Sequence, residues 1–206
     1  MSSYTLYGTF LSMPCVKAGL MLDLCGLPYE YKHVNLRAGE SKTPDFLKLN
    51  KWGQVPVLVA DGASMTQSGA ILLELAAKAG KFDGANPEEK RQVREWLFWE
   101  ADLLYPGIAS TRAQRLFYNG APEVIAFFKG RGERALGMLN EALIGKDYLV
   151  CATPTVADIA CFVTVSYAGD AELSLDAFPA IQAWMKRMAA LPGMKVPQEA
   201  LPKPAA

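Results

Sequence analysis

The chain reads as an α/β unit of order β-α-β-α-β-β-α followed by a unit made of helices alone. Three observations carry that expectation. Short apolar runs of strand length alternate with helical segments from residue 4 to about residue 79. Asp61-Gly62 sits between two such runs, the strongest local hairpin signal in the chain. Beyond about residue 85 every apolar pattern has helical spacing. A length of 206 residues, 51% of them hydrophobic, provides for one large core or two modest ones and excludes intrinsic disorder. The expected division is a first domain over 1–80, a linker over 81–86 and a helical domain over 87–206.

Each element has a local reason. Residues 5–7 form a short strand, and a loop over 8–14 leads to a helix that runs to Cys25 with Val16, Leu20 and Leu24 on one stripe and Gly26 as its stop. Residues 29–36 alternate as a second strand. Thr43-Pro44-Asp45 then supplies an N-cap, a first-turn Pro and an early acid for a short helix. Strands over 55–59 and 63–65 flank the hairpin turn, and a helix over 67–79 is apolar at Ile71, Leu72, Leu75 and Ala76. In the second half, Asn86-Pro87-Glu88-Glu89 opens a long helix with Val93, Trp96, Leu97, Leu104 and Ile108 in its stripe, and Pro106-Gly107 is expected to kink or end it. A loop over 112–121 precedes a helix over 122–143, and Thr155 with Asp158 forms a capping box for a buried helix. A last helix spans 179–191, and the Pro- and Ala-rich tail from Pro192 is expected to lie irregularly on the surface.

Composition excludes several kinds of chemistry. Lys+Arg and Asp+Glu are equal at 21 each, so there is no general electrostatic footprint for nucleic acid or an anionic membrane. His33, the single histidine, falls in an alternating strand, which favours a strand-face imidazole over a hydrolase base. The four cysteines form no C-x-x-C pair and have no His at zinc spacing, so no metal site is expected. Their sparseness fits a reduced, cytoplasmic compartment. The start Met-Ser-Ser-Tyr-Thr shows no secretory leader, and the apolar stretch over 148–169 is broken by Pro154 and Asp158, which favours a core helix over a membrane span.

Three short motifs carry the chemistry. Ser12-Met-Pro-Cys15 opens the first long helix, where backbone N–H groups and the helix dipole favour negative charge. Ser12 there is either a donor to an anion or a plain N-cap. Cys15 stands where the second cysteine of a redox pair would; with Ser12 in the first place a dithiol cycle is impossible. Cys15 is therefore either a buried small hydrophobe or, if exposed at the helix terminus, a possible redox thiol. Gly53-Gln-Val-Pro56 leads into the hairpin, its Pro holding Val55 extended. Gln67-Ser68 opens the following helix with an amide and a hydroxyl, either a carboxylate site by the same dipole argument or a helix cap only.

This layout and these motifs resemble the cytosolic glutathione S-transferases over nearly the whole chain, and among them the bacterial serine-type members. The resemblance implies a thioredoxin-like N-terminal domain and an all-helical C-terminal domain. It implies glutathione as co-substrate, no metal, and a homodimer acting in detoxification. Ser12 would hydrogen-bond the glutathione thiolate and lower its pKa. Val55, across a cis bond to Pro56, would pair with the cysteinyl backbone. Gln54 would reach the glycine end, with Lys42 replacing the His common in bacterial relatives, and Gln67 and Ser68 would hold the γ-glutamyl carboxylate. The second partner would be a small hydrophobic electrophile met by the helical half, where Trp99, Leu103, Tyr105, Arg112 and Tyr118 are candidates. Arg112 is either a contact for an anionic substrate or a solvated charge. Tyr4 and Tyr7 read as packing residues. Two alternatives remain: another glutathione-dependent reaction on this scaffold, as thiol transferase, isomerase or dehalogenase, or a non-catalytic binding protein.

Overall fold

The computed structural model describes residues 4–204. The residues 1–3, on which the reading of the leader partly rests, lie outside it. The chain divides into two compact units, one joining the residues up to Lys81 with those from Pro192 on, the other spanning Phe82–Leu191.

The first unit contains β1 (Tyr4–Gly8), α1 (Met13–Cys25), β2 (Tyr29–His33), α2 (Pro44–Leu49), β3 (Val57–Ala60), β4 (Ala63–Thr66) and α3 (Ser68–Ala79), the order the sequence predicts. The strands form one sheet in the order β2-β1-β3-β4, with β1 parallel to β2 and the other neighbours antiparallel. Side chains alternate across it. Leu6 and Leu58, opposite one another in the register, are both fully buried, and α1 packs on α3 with Ile71, Leu72, Leu75 and Ala76 inside. The other pair, Tyr7 and Val57, joins a smaller cluster with Val34, Phe46, Leu49 and Val59, in which the Tyr7 and Phe46 rings meet edge to face at 6.4 Å.

The observed strand ends differ from expectation for local reasons. β2 stops at His33 rather than residue 36 because Asn35 turns the chain, its side chain accepting from the Ala38 amide and its own amide donating to Glu40. β3 begins after Pro56, which has no N–H to give a ladder. The hairpin turn is as the sequence has it: Asp61 (φ 50°) and Gly62 (φ 82°) are both left-handed, the type I′ geometry.

The tail is the main departure. Sequence placed it with the helical domain; its contacts group it with the first unit. Ala200 and Leu201 are each only 3% exposed, and a Cβ added to Gly19 of α1 would lie 2.6 Å from Leu201 Cδ2. Lys195 Nζ also pairs with Asp23 Oδ2 at 2.7 Å. This cover explains why α1 is buried at nearly every position, Lys17 included, rather than along the single stripe expected.

The second unit holds α4 (Pro87–Trp99), α5 (Thr111–Leu116), α6 (Pro122–Leu143), α7 (Val156–Val165) and α8 (Pro179–Ala189). Asn86 caps α4 by accepting from the Glu89 amide at 2.9 Å, while Glu89 accepts from the Ala85 amide at 2.7 Å. Pro106-Gly107 does not end this helix. Two wide, π-type stretches, Glu100–Leu104 and Pro106–Ser110, carry it on into α5, so the expected loop begins only at Phe117. Gly107 is instead a crossing point, since a Cβ there would lie 2.5 Å from Gly132 Cα of α6. Every residue of α7 is buried. Its Asp158 carboxylate accepts from the Thr155 amide and hydroxyl, the Leu149 amide and the Trp184 indole, at 2.9 to 3.0 Å. The capping box read from Thr155 and Asp158 is present, and it also anchors α8 through Trp184. No described helix is long and apolar enough to cross a membrane.

Candidate functional site

The register brings the three motifs to one end of the sheet. Ser12 follows β1, whose final turn toward α1 starts at Gly8; Tyr7, just before it, pairs with Val57 at the start of β3; and Val57 pairs with Thr66 at the end of β4, one residue before Gln67. The helices α1 and α3 therefore begin at that same end. Neither carries an acid in its first turn, whereas α2 and α4 do. The partial positive charge of both termini is left for a ligand or solvent.

Ser12 is the N-cap residue of α1 with extended backbone (φ −98°, ψ 114°). Its carbonyl accepts from the Val16 amide at 3.0 Å and its amide donates to Thr9 O at 3.1 Å. The hydroxyl caps none of the helix amides. It lies instead beside the Cys15 thiol. Burial pushes that thiol up to about 11, with the Ser12 hydroxyl and the Thr9 backbone opposing the rise. Cys15 is fully buried against Gly8, where an added Cβ would come within 3.0 Å of both its Cβ and Sγ. A nucleophilic thiol needs exposure and a lowered pKa, so the geometry favours the buried-hydrophobe reading of Cys15 over the redox one.

The second motif is held from below. The Val55-Pro56 bond is cis, as the resemblance implied. Asn50, itself 4% exposed, donates from Nδ2 to Gln54 O at 2.7 Å and accepts from the Trp52 amide at 3.1 Å. Lys42 Nζ donates to the carbonyls of Trp52 (3.2 Å) and Gly53 (3.0 Å). Gly53 is left-handed at φ 60°, and a Cβ there would lie 2.7 Å from Ser41 O and 2.8 Å from Lys42 Nζ, so no larger residue fits the turn. Lys42 thus stands at this motif, with two of its three donors committed to the loop. The Gln54 side chain is exposed, and the Trp52 indole is 52% exposed with the Lys51 ammonium 5.0 Å from its centre.

Gln67 occupies the N-cap of α3 with φ 67° and ψ 111°, left-handed for a residue with a Cβ. Its side chain caps nothing, and its carbonyl accepts from the Ile71 amide at 3.0 Å. Such a conformation costs about 1–3 kcal/mol and persists where neighbours over-determine it, often at ligand sites. Ser68 is the first residue of the helix.

In the helical unit the structure corrects the expectation for Arg112. It is neither a solvated charge nor open to a substrate: it is 8% exposed, its Nε donates to Asp170 at 2.7 Å, and its guanidinium lies over the rings of Phe117 and Tyr167. Tyr118 is 71% exposed, while Trp99, Leu103 and Tyr105 are half-buried. Tyr4 and Tyr7 pack in the sheet. Among the described residues no group of three or more His, Cys, Asp or Glu side chains has metal-binding geometry. Two residues that support the site went unassigned in the sequence: Asn50, for which the Asn-x-x-Gly spacing to Gly53 was an available turn signal, and Tyr31, hidden among alternating strand residues.

The comparisons with known proteins agree with this architecture. Residues 2–76 match the family model of the glutathione S-transferase N-terminal domain, and residues 121–192 that of the C-terminal domain. The chain is 30% identical over 187 residues to the disulfide-bond oxidoreductase YfcG of Escherichia coli strain K12, covering 85% of this chain and 86% of that one. A glutathione S-transferase from Pseudomonas fluorescens Pf-5 superposes with a TM-score of 0.88 at 34% identity, over 94% of this chain and 98% of its own. Another from Xanthobacter autotrophicus Py2 gives 0.88 at 35% identity, over 93% and 95%. The chain belongs to the glutathione S-transferase family.

Proposed function

We propose that this protein is a glutathione transferase that binds glutathione at the end of its thioredoxin-like sheet and activates its thiol for attack on a small hydrophobic electrophile. One observation carries the reading: the Ser12 hydroxyl sits at the N-terminus of α1 without capping it. A donor there stabilises a thiolate more than a thiol, as does the helix dipole, and both lower the thiol pKa. Val55, across its cis bond to Pro56, presents main-chain groups to the cysteinyl part. Gln67 and Ser68 receive the γ-glutamyl carboxylate at the unopposed start of α3. Lys42 and Gln54 face the glycine end. The bound thiolate then attacks the electrophilic atom and the leaving group departs with its electron pair; the protein supplies position and pKa. The setting is a cytoplasmic homodimer working in detoxification.

Ser12→Ala is expected to lower kcat by about 100-fold, as for removal of one donor to a developing anion, with glutathione affinity nearly unchanged. Steady-state kinetics with an electrophile panel and glutathione titration by thermal shift measure both. Equal losses in kcat and affinity would reduce Ser12 to a structural role.

The YfcG relative favours a second reading, glutathione-dependent disulfide reduction. There the bound glutathione thiolate would attack a disulfide, releasing one thiol and forming a mixed disulfide. A second glutathione thiolate would resolve it, giving oxidised glutathione and the second thiol. With Cys15 buried and its pKa near 11, this cycle would run without a protein thiol. Disulfide reductase turnover above transferase turnover in wild-type protein would select it.

A further inference from the structure

The loop that delivers Ser12 is held from β2 by two residues that the reaction as proposed does not use. Tyr31 points its hydroxyl at the Gly8 carbonyl, to which it donates at 3.2 Å. That carbonyl also accepts from the Val34 amide at 2.7 Å, so both of its lone pairs are engaged where β1 ends. The Tyr31 hydroxyl lies 3.4 Å from His33 Nδ1, and the His33 ring packs against Phe10, their centres 5.9 Å apart and the planes tilted by 32°. Burial keeps the Tyr31 hydroxyl protonated, the neighbouring Cys15 reinforcing this and a hydrogen bond from the Phe10 backbone opposing it. The segment between Gly8 and Ser12 is thus tied at its first residue by a hydroxyl and at its middle by a ring, while Ser12 at its end is held by the Thr9 carbonyl, the Val16 amide and the neighbouring Cys15 thiol.

We infer that Tyr31 and His33 are positioning residues that fix the 9–12 loop, and with it the direction of the Ser12 hydroxyl toward the bound thiol. This rests on the proposed role of Ser12. A loop of four residues has enough freedom to swing a terminal hydroxyl by an ångström or more, and a misplaced donor stabilises the thiolate less without changing how the rest of glutathione is held. In the parallel β1–β2 pair His33 lies opposite Gly8 and Tyr31 opposite Leu6, so both braces come from the strand beside the one that leads into the loop.

Tyr31→Phe keeps the ring and removes the hydroxyl, and His33→Ala removes the ring against Phe10. Two measurements are made on each full-length variant: amide hydrogen exchange of residues 9–13 without ligand, and the pKa of bound glutathione from thiolate absorbance against pH. Tyr31→Phe is expected to speed exchange in that segment, raise the bound-thiol pKa and lower kcat by about fivefold, the equivalent of one neutral hydrogen bond, with KM for glutathione unchanged. His33→Ala is expected to act in the same direction and supplies the test if Tyr31→Phe folds poorly. Unchanged exchange in both variants overturns the brace. Faster exchange with an unchanged thiol pKa overturns its catalytic consequence. Wild-type protein without a thiolate signal overturns the Ser12 reading, and the positioning role with it, while exchange still reports whether the loop is braced.

Discussion

Cys15 shows how a residue's surroundings override its motif. In sequence it completes a Ser-x-x-Cys version of a redox pair, at a helix N-terminus that lowers thiol pKa values. In the fold, Gly8 lets α1 approach β1 so closely that the thiol loses all contact with water, and desolvation outweighs the hydrogen bonds from the Ser12 hydroxyl and the Thr9 backbone. With native protein at pH 8, a small thiol-alkylating reagent followed by mass spectrometry should label Cys151, which is partly exposed, and leave Cys15 and Cys161 unlabelled until the protein unfolds. A pH dependence follows as well. A folded-state pKa raised from 9.0 to about 11 means that stability from the protonated thiol is fully present below pH 9 and is lost as the pH rises through about 11. Cys15→Ala should flatten that part of a denaturant-midpoint profile against pH. Ser12, Val55, Gln67 and Ser68 could be proposed from sequence because each stands beside a helix start or a Pro whose chemistry is local; Asn50 and Tyr31 act on backbone carbonyls across a turn or a neighbouring strand, and only Asn50 carries a local turn signal.

Elements with their own caps were legible to the residue, and those ended by tertiary contact were not. The starts of α2, α4, α6 and α8 follow from Pro at the first helical positions, and the turn between β3 and β4 from Asp61-Gly62. For the run from α4 into α5 local rules allow Pro106-Gly107 to kink or to stop a helix, and of the two the stop does not occur. The actual reason for the pair is the approach to Gly132, made possible by wide turns on either side. The Asp158 carboxylate was legible as half of a capping box but not as the hub of α7 and α8. Asp158→Ala would strand four buried donors on Thr155, Leu149 and Trp184. At about 1–3 kcal/mol for each unsatisfied group, partly relieved by relaxation, the loss is expected to be at least about 3 kcal/mol. Urea unfolding followed by tryptophan fluorescence measures it, and a shift equivalent to less than about 1 kcal/mol would mean that the donors find other partners.

Over the whole chain, the α/β-then-helical order was plain from periodicity, while the assignment of residues 192–204 was not. The clue lay in α1, whose sequence Met-Pro-Cys-Val-Lys-Ala-Gly-Leu-Met-Leu-Asp-Leu-Cys lacks a polar face and so required a cover on every side. Leu201 provides part of that cover over Gly19. Leu201→Ala is expected to cost about 2–4 kcal/mol and to raise hydrogen exchange in α1 while leaving α6 unchanged. Equal effects on both helices would mean that the tail serves the entire chain rather than the first unit. The tail also bears on the order in which the two units can be completed. Residues 82–191 form their unit from one contiguous stretch, but α1 has an open flank until residues 192–204 leave the ribosome. The unit made first is completed last, so its apolar α1 surface is what a nascent-chain chaperone would meet throughout translation of the helical half.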